Sequence, residues 1–389
     1  MPFPADMGDR IYSGNLAKAL AHAGTDLTFV GLESESQQAP PTDWPLKWRT
    51  IAGHRRGAIR ALFSTMPSIA ASFATAAYRR HVRLLMRERW DFIVIDQLAL
   101  GWAIEVAQSA LAQDEHPVLV HVSHNHESSL WESFYREFDG MMLKRLVIWQ
   151  NYLKTRAFER MIALRADLVS VITEEDAAKF SRDVPGVRTV VLKPGYHGAI
   201  SSREVITAAT PRRVVLVGSF RWSAKQENLR QFIRIADPIF ARYGIEFVVV
   251  GSIPENLAME LKRTASATRF AGFVEELQPV LDTARIAVVP EAIGGGFKLK
   301  FLDYVFGRMP VATLARATAG LPDEIRQAMF CADTLAQLAL GIAELIDDLA
   351  RLNAMQERAF RCGTELFRWS DRGDDLLKAI HGSAARSQA

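Results

Sequence analysis

The sequence predicts an α/β chain built as two doubly wound domains, and three observations lead there. Short β-branched runs, among them DFIVID (91–96), VLVHV (118–122), RVVLVG (213–218) and EFVVVG (246–251), alternate with longer stretches of helical periodicity. Strands joined through helices imply right-handed crossovers and parallel sheets. Several consecutive strands of the second half close on glycine, which calls for close backbone approach along one edge of a sheet. The third observation is size: 389 residues that are 49% hydrophobic exceed one ordinary core and suit two.

Composition narrows the function classes. A formal net charge of +3 does not call for nucleic acid, though it permits a basic patch facing phosphates or an anionic membrane. Cys331 and Cys362 are too few for a disulfide framework and lack metal-ligand spacing. Apolar runs such as 247–250 and 286–289 are far shorter than a membrane span, and no secretory signal is visible. The expectation is a cytoplasmic chain, soluble or at the inner face of the membrane.

Taken in order, Ile11, Leu16, Leu20 and Ala21 fall at helical spacing, with Gly24 as the stop. Asp26 to Gly31 (DLTFVG) follows as a strand. A doubly wound domain places a strand before its first helix, yet only Met1 to Phe3 precede Pro4, so the first strand reads as missing or truncated. Gly8, Asp9 and Arg10 stand where a phosphate-facing turn belongs; a plain helix N-cap fits the same residues. Residues 33–45 read as loop. From Ile59 to Arg89 the pattern is helical, and its late run of Arg79, Arg80, His81, Arg83, Arg87 and Arg89 reads as a solvated face.

Strand 118–122 exits into Ser123, His124, Asn125, His126 and Glu127. Ligands of open parallel sheets gather beyond the carboxyl ends of strands, so His124, Asn125 and Glu127 are candidates for chemistry. The spacing of His121, His124 and His126 matches no recognisable metal-ligand set, and no metal is expected. The stretch 130–154 is rich in Trp, Phe, Tyr and Met at helical spacing and is expected to be core; exposed, it would make an acceptor or membrane-surface groove. Helix continues over 159–166, followed by a strand over 168–173 and a helix start at Glu174.

The break at Lys193 to Gly198 and the polar run to Thr210 mark a boundary. Residues 1–200 form the N-terminal domain, 201–365 the C-terminal domain and 366–389 a C-terminal helix and tail. In the second domain, strand 213–217 leads through Gly218, Arg221 and Lys225 into helix 229–243, and strand 246–250 closes on Gly251. An extended piece over 269–273 precedes a helix expected to start at Val274. Strand 286–289 opens into PEAIGGGFKLKFLDYVFGRMP (290–310), and strand 311–314 follows.

That stretch joins a strand, the glycines Gly294, Gly295 and Gly296, and a helical pattern with Lys298, Lys300 and Asp303. Backbone N–H groups and two lysines could hold a diphosphate there, with Asp303 accepting from a sugar or ribose hydroxyl. A Gly-rich turn with a solvated basic face fits the same residues.

The order of these motifs over nearly the whole chain resembles glycosyltransferase family 4, most closely in 213–322 and also in SHNHES and ADLVSVITEED. The resemblance implies the GT-B layout of two Rossmann-like domains facing a central cleft, the first binding acceptor and the second a nucleotide sugar. It implies transfer with retention and without a metal. By the same resemblance Gly8 approaches the donor diphosphate and His124 the transferring sugar. Gly218, Arg221 and Lys225 form the first phosphate loop, and Gly272 to Glu275, including Phe273, touches the nucleobase. Gly294 to Gly296 and Lys300 match the donor loop, and Asp303 the second acid of the family's Glu-x7-Glu motif. The first acid of that motif falls at Gly295, a departure that marks a subgroup; Glu291 is near enough to substitute. No cofactor is expected beyond a UDP- or GDP-linked donor as substrate. The expected partners are that donor, a glycan or lipid-linked acceptor and a peripheral membrane contact, with no nucleic acid. Inverting transfer, sugar-nucleotide epimerisation and donor binding without turnover remain open.

Overall fold

The β-branched runs become strands and the periodic stretches between them helices, in a computed structural model that describes residues 1–3, 8–33, 41–53, 55, 63–111, 117–138, 140–293 and 296–387. The chain divides into two units: Met1–Gly195 with Trp369–Ala389, and Tyr196–Arg368.

The first unit opens with α1 (Gly8–His22), β1 (Thr28–Leu32) and β2 (Lys47–Ile51). Residues 1–3 form no strand, and β1 pairs in parallel with β2 alone. Strand β2 (KWRTI) was not anticipated from the sequence; its two cations hide the alternation. The helix expected over 59–89 is two shorter ones among the described residues, α2 (Ser68–Phe73) and α3 (Ala76–Leu85); 59–62 lie outside those residues. Thr75 ends the first and caps the second, its hydroxyl accepting from the Tyr78 N–H at 3.2 Å. Arg80, Arg83, Arg87 and Arg89 are exposed, as a solvated face requires.

Then come β3 (Phe92–Asp96), α4 (Trp102–Ala110), β4 (Val118–Val122), α5 (Glu127–Glu137), α6 (Met142–Arg165), β5 (Leu168–Val171), α7 (Glu174–Asp183) and β6 (Thr189–Val191). Strands β3-β4-β5-β6 form one parallel sheet in that order. Every residue of β4 is buried, so His121 is a core side chain: its Nδ1 bonds the Ile95 carbonyl at 3.0 Å, and burial lowers its pKa to about 4. Trp102, Tyr78, Phe158 and Ile162 fill the core on one side of this sheet.

The second unit runs β7 (Arg213–Val217), α8 (Ser223–Tyr243), β8 (Glu246–Val250), α9 (Glu255–Lys262), β9 (Thr268–Gly272), α10 (Gln278–Asp282), β10 (Ile286–Val289), α11 (Lys300–Phe306), β11 (Val311–Leu314), α12 (Asp323–Arg326), β12 (Phe330–Ala332), α13 (Leu335–Leu345) and α14 (Leu349–Leu366). Its six strands are all parallel, in the order β12-β11-β10-β7-β8-β9. Val214, Val215, Phe247, Val248 and Ile286 to Val289 are buried on both faces of the sheet, which is why these strands read as unbroken apolar runs. Residues 274–277, expected to begin a helix, do not; α10 starts at Gln278, with Pro279 in its first turn, where a missing N–H costs nothing.

The last helix, α15 (Trp369–Ser387), returns to the first unit and packs on α1. Gly373 permits the crossing, since a Cβ there would run into the Ala19 carbonyl. The stretch expected as a C-terminal helix and tail is thus helical from Trp369 to Ser387 and belongs to the first unit.

Candidate functional site

The strand order of the second unit decides where a ligand can lie. Chain direction through the sheet reverses between β7 and β10, because β8 and β9 are added on one side of β7 and β11 and β12 on the other of β10. Two crossover helices leave on opposite faces at such a point, and the strand ends there open into a crevice. Gly218 ends β7, and Glu291 stands two residues past β10.

Four charged side chains converge on that point. Lys300, the first residue of α11, is ion-paired with Glu291, and both are nearly buried, at 13% and 11% exposure. Lys300 Nζ lies 3.6 Å from where a Cβ on Gly218 would stand, so a glycine there leaves the ammonium room beside the strand end. Burial alone would raise the pKa of Glu291; the charges of Lys300, Lys298 and Lys225 outweigh it and hold the carboxyl below its usual value. Lys225, in the first turn of α8, has its own pKa lowered by burial and then by Lys300. Three lysines thus crowd one carboxylate in a low-dielectric place, and a bound anion relieves their repulsion. Helix α8 also begins with no side-chain cap and no acid in its first turn. Arg221, two residues before α8 begins, is exposed to solvent.

The glycines at the strand ends line up. The Gly218 N–H donates to the Val250 carbonyl at 3.0 Å and the Gly251 N–H to the Gly272 carbonyl at 2.7 Å. Gly251 has φ +121°, and a Cβ on it would collide with the Gly218 carbonyl, so no other residue fits. Beyond Gly272, Phe273 is 75% exposed and Glu275 is exposed. Adjacent strands are about 4.8 Å apart, so β9 lies about 10 Å from β7.

The glycine loop itself is only partly visible. Gly294 and Gly295 lie outside the described residues, while Gly296 has φ +70°. Helix α11 starts at Lys300, so Lys298, expected on that helix, instead lies in the turn before it and is buried. Asp303 does sit on α11; burial, opposed by Lys300, pushes its carboxyl up to about 6. A carboxyl so placed can accept a hydroxyl hydrogen bond, with the Lys300 charge beside it.

On the first unit, β3 and β4 are neighbours, and their ends bring Asp96 against His124, with Nε2 to Oδ1 at 2.8 Å. Burial alone would lower the His124 pKa; the charge and hydrogen bond of Asp96, aided by Asp9 and Glu127, outweigh it and raise the value. The Tyr12 ring packs edge-on against the imidazole at 4.9 Å. Asn125 Nδ2 donates to Glu127 Oε1 at 3.5 Å, and burial raises the Glu127 pKa. Gly8 and Asp9 are exposed at the start of α1, where the Asp9 charge reaches both His124 and Glu127. A carboxylate repels a diphosphate, so of the three residues read as phosphate-facing only Gly8 and Arg10 suit that role. His126, by contrast, is a buried structural residue, bonded to Ser129 Oγ at 2.7 Å and packed on Phe180. Among the described residues no group of three His, Cys, Asp or Glu side chains is arranged to hold a metal ion.

Three contributors escaped the sequence reading. Asp96 was read only as the end of a strand; register alone brings it to His124. Asn228, one helical turn after Lys225, is buried and accepts from the Ala292 and Ile293 N–H groups at 3.1 and 3.0 Å, so it ties the glycine loop to α8. Glu159 of α6 caps α5, accepting from the Glu127 and Ser128 N–H groups at 2.8 and 3.1 Å; burial pushes its carboxyl up to about 7. A lone Asn or Glu inside a helix carries no signal of its target.

Two doubly wound units in one chain, one with its cations at the switch point, define the GT-B class of fold. Solved structures agree. A structure of HepE from Anabaena in complex with UDP and glucose matches with TM-score 0.65 at 12% identity, covering 97% of this chain and 96% of that one. An E. coli structure described as trehalose-6-phosphate bound with UDP-2-fluoro glucose matches with TM-score 0.65 at 11% identity, covering 97% and 96%. TarM matches with TM-score 0.59 at 12% identity; 78% of this chain spans only 58% of that one. No curated protein sequence matches the chain. Residues 211–348 match the model of glycosyl transferases group 1, and residues 8–195 that of the glycosyl transferase 4-like domain. The chain belongs to this glycosyltransferase family.

Proposed function

We propose that the chain transfers a sugar from a nucleotide-sugar donor to a hydroxyl of a glycan or lipid-linked acceptor, with retention and without a metal. The observation that carries this is the lysine cluster at the switch point. Nucleotide-sugar diphosphates are anionic, and departure of the nucleotide builds further charge on the same oxygens. Lys225, Lys298 and Lys300 stabilise that charge in place of a cation, and their buried setting makes them more effective than they would be in water. Arg221 and the backbone at Gly218 and Gly294 to Gly296 complete the phosphate loop, Asp303 accepts from the ribose, and Phe273 with Glu275 borders the base. UDP is the first nucleotide to try, since UDP occupies two of the similar structures.

In this reading His124, its pKa raised by Asp96, donates a hydrogen bond to the transferring sugar, and Asn125 and Glu127 orient hydroxyl groups beside it. The same Asp96–His124 pair favours one rival: a carboxylate-held imidazole is also how a general base for inverting transfer is built. A panel of UDP- and GDP-sugars scored for nucleotide release identifies the donor, and NMR of the product's anomeric proton decides the stereochemistry. Retained configuration supports the proposal, inversion moves His124 to the base role, and donor binding with no release from any acceptor removes the enzymatic reading.

A further inference from the structure

We infer that the tip of the α5–α6 hairpin is a docking surface for an anionic lipid bilayer. Helix α6 is 24 residues long, but its buried stripe begins only at Ile148 and continues through Asn151, Thr155, Phe158 and Ile162. Before Ile148 every residue of the helix is exposed, with Arg145 lying over the Tyr135 ring of α5 at 5.1 Å. Met141, Met142, Leu143 and Leu146 are 67%, 89%, 69% and 56% exposed, and Trp149, one turn further, is 41% exposed. Soluble surfaces seldom leave so many large apolar side chains together without a partner.

The charges choose the partner. Lys144 and Arg145 lie among these residues, Lys154 and Arg156 follow further along the helix, and no carboxylate occurs from Met141 to Arg156. Protein interfaces are depleted in lysine, whereas helices that lie in the headgroup region combine Leu and Trp with Lys and Arg. Long basic side chains reach lipid phosphates while the apolar ones enter the acyl boundary. No helix among the described residues is long and apolar enough to cross a membrane, so this surface serves contact from one side.

The hairpin also has a fixed relation to the chemistry of its own unit. Its base is pinned by the Glu159 cap, and Glu127 sits at the first residue of α5 beside His124. The 11 residues of α5 rise about 16 Å, which sets the tip about that far from Glu127. An acceptor carried on a membrane lipid could thus reach from the bilayer to His124 with its own head group. This choice of the lipid-linked acceptor class rests on the transfer reading above; the membrane contact does not.

Vesicle flotation of the full chain tests it, using phosphatidylcholine vesicles with and without phosphatidylglycerol. The wild type should float with the anionic vesicles, float about tenfold less with neutral ones, and be released by salt. The pair Leu143→Glu with Leu146→Glu, and separately Lys144→Glu with Arg145→Glu, should each cut flotation by about tenfold or more. UDP binding by calorimetry on the same proteins checks that they are folded: equal UDP affinity with lost flotation supports the inference. Absence of wild-type flotation, or flotation unchanged in the leucine pair, overturns it. So does a wild-type dimer that the leucine pair dissociates without any vesicle binding, which would make the patch an interface between copies. Flotation with no UDP binding by any variant would instead strike the transfer reading and leave this one standing.

Discussion

Lys300 is the side chain on which the proposed donor site most depends, because it reaches both Glu291 and the end of β7. Lys300→Ala should weaken UDP binding by about 10- to 100-fold in calorimetry, the loss of a charge-assisted contact in a buried place. Unchanged affinity would remove the phosphate assignment. Asp303 illustrates a cost accepted for function. Its folded carboxyl titrates near 6 against an ordinary 3.8, so relative stability is full below the unfolded pKa and is lost as pH rises through about 6. Asp303→Asn should therefore raise Tm by about 2–4 °C at pH 7.5, with no gain at pH 4, while donor affinity falls. His124 runs the other way in chemistry: its raised pKa keeps the imidazolium charged to higher pH. Asp96→Asn should bring the alkaline decline of kcat to lower pH and cut turnover about 100-fold at pH 7.5, with UDP affinity intact.

The loop between β10 and α11 is held by one buried amide more than by its own glycines. Asn228 bonds three backbone groups of that loop, the third being the Ile293 carbonyl at 2.9 Å. Asn228→Ala leaves those groups unpaired and should cost about 1–3 kcal/mol in urea unfolding of the second unit. It should also raise the donor KM, because Lys298 and Lys300 follow the loop. A variant with normal KM would show that the lysines are positioned by α11 alone. The α5–α6 hairpin shows the opposite arrangement: the Glu159 cap fixes its base and leaves residues 141–147 near its tip exposed.

The two units differ in how the chain builds them. Tyr196–Arg368 is continuous, whereas the first unit needs Trp369–Ala389 to cover α1. A fragment of 196–368 should fold cooperatively and bind UDP, since its sheet, its core and the lysine cluster lie wholly within it. A fragment of 1–195 should lack cooperative unfolding until the peptide 369–389 is supplied. Circular dichroism melts with and without that peptide check this; an unaided sharp transition would show that α15 is dispensable.

Much of this protein was legible before any coordinates. The strands of the second unit are buried on both faces, so burial wrote itself as uninterrupted Val, Ile and Ala, and the glycine strand ends followed from their need for backbone approach. Lys225, Lys298, Lys300 and Asp303 could be singled out as candidates because they lie in the segments that follow β7 and β10, and the structure gathers the three lysines around Glu291. What depended on register and long-range packing was invisible. Asp96 meets His124 only because β3 pairs with β4, Asn228 finds the glycine loop only across a helix–loop contact, and Glu291 meets Lys300 only once the loop folds back. Periodicity reports that a helix has an apolar face, not whether anything covers it. The Met and Trp residues of α6, expected in a core, proved exposed for that reason. Residue type and local spacing thus specified strands, helices and the donor loop, while pairing between distant segments decided which charges meet and which apolar faces stay open.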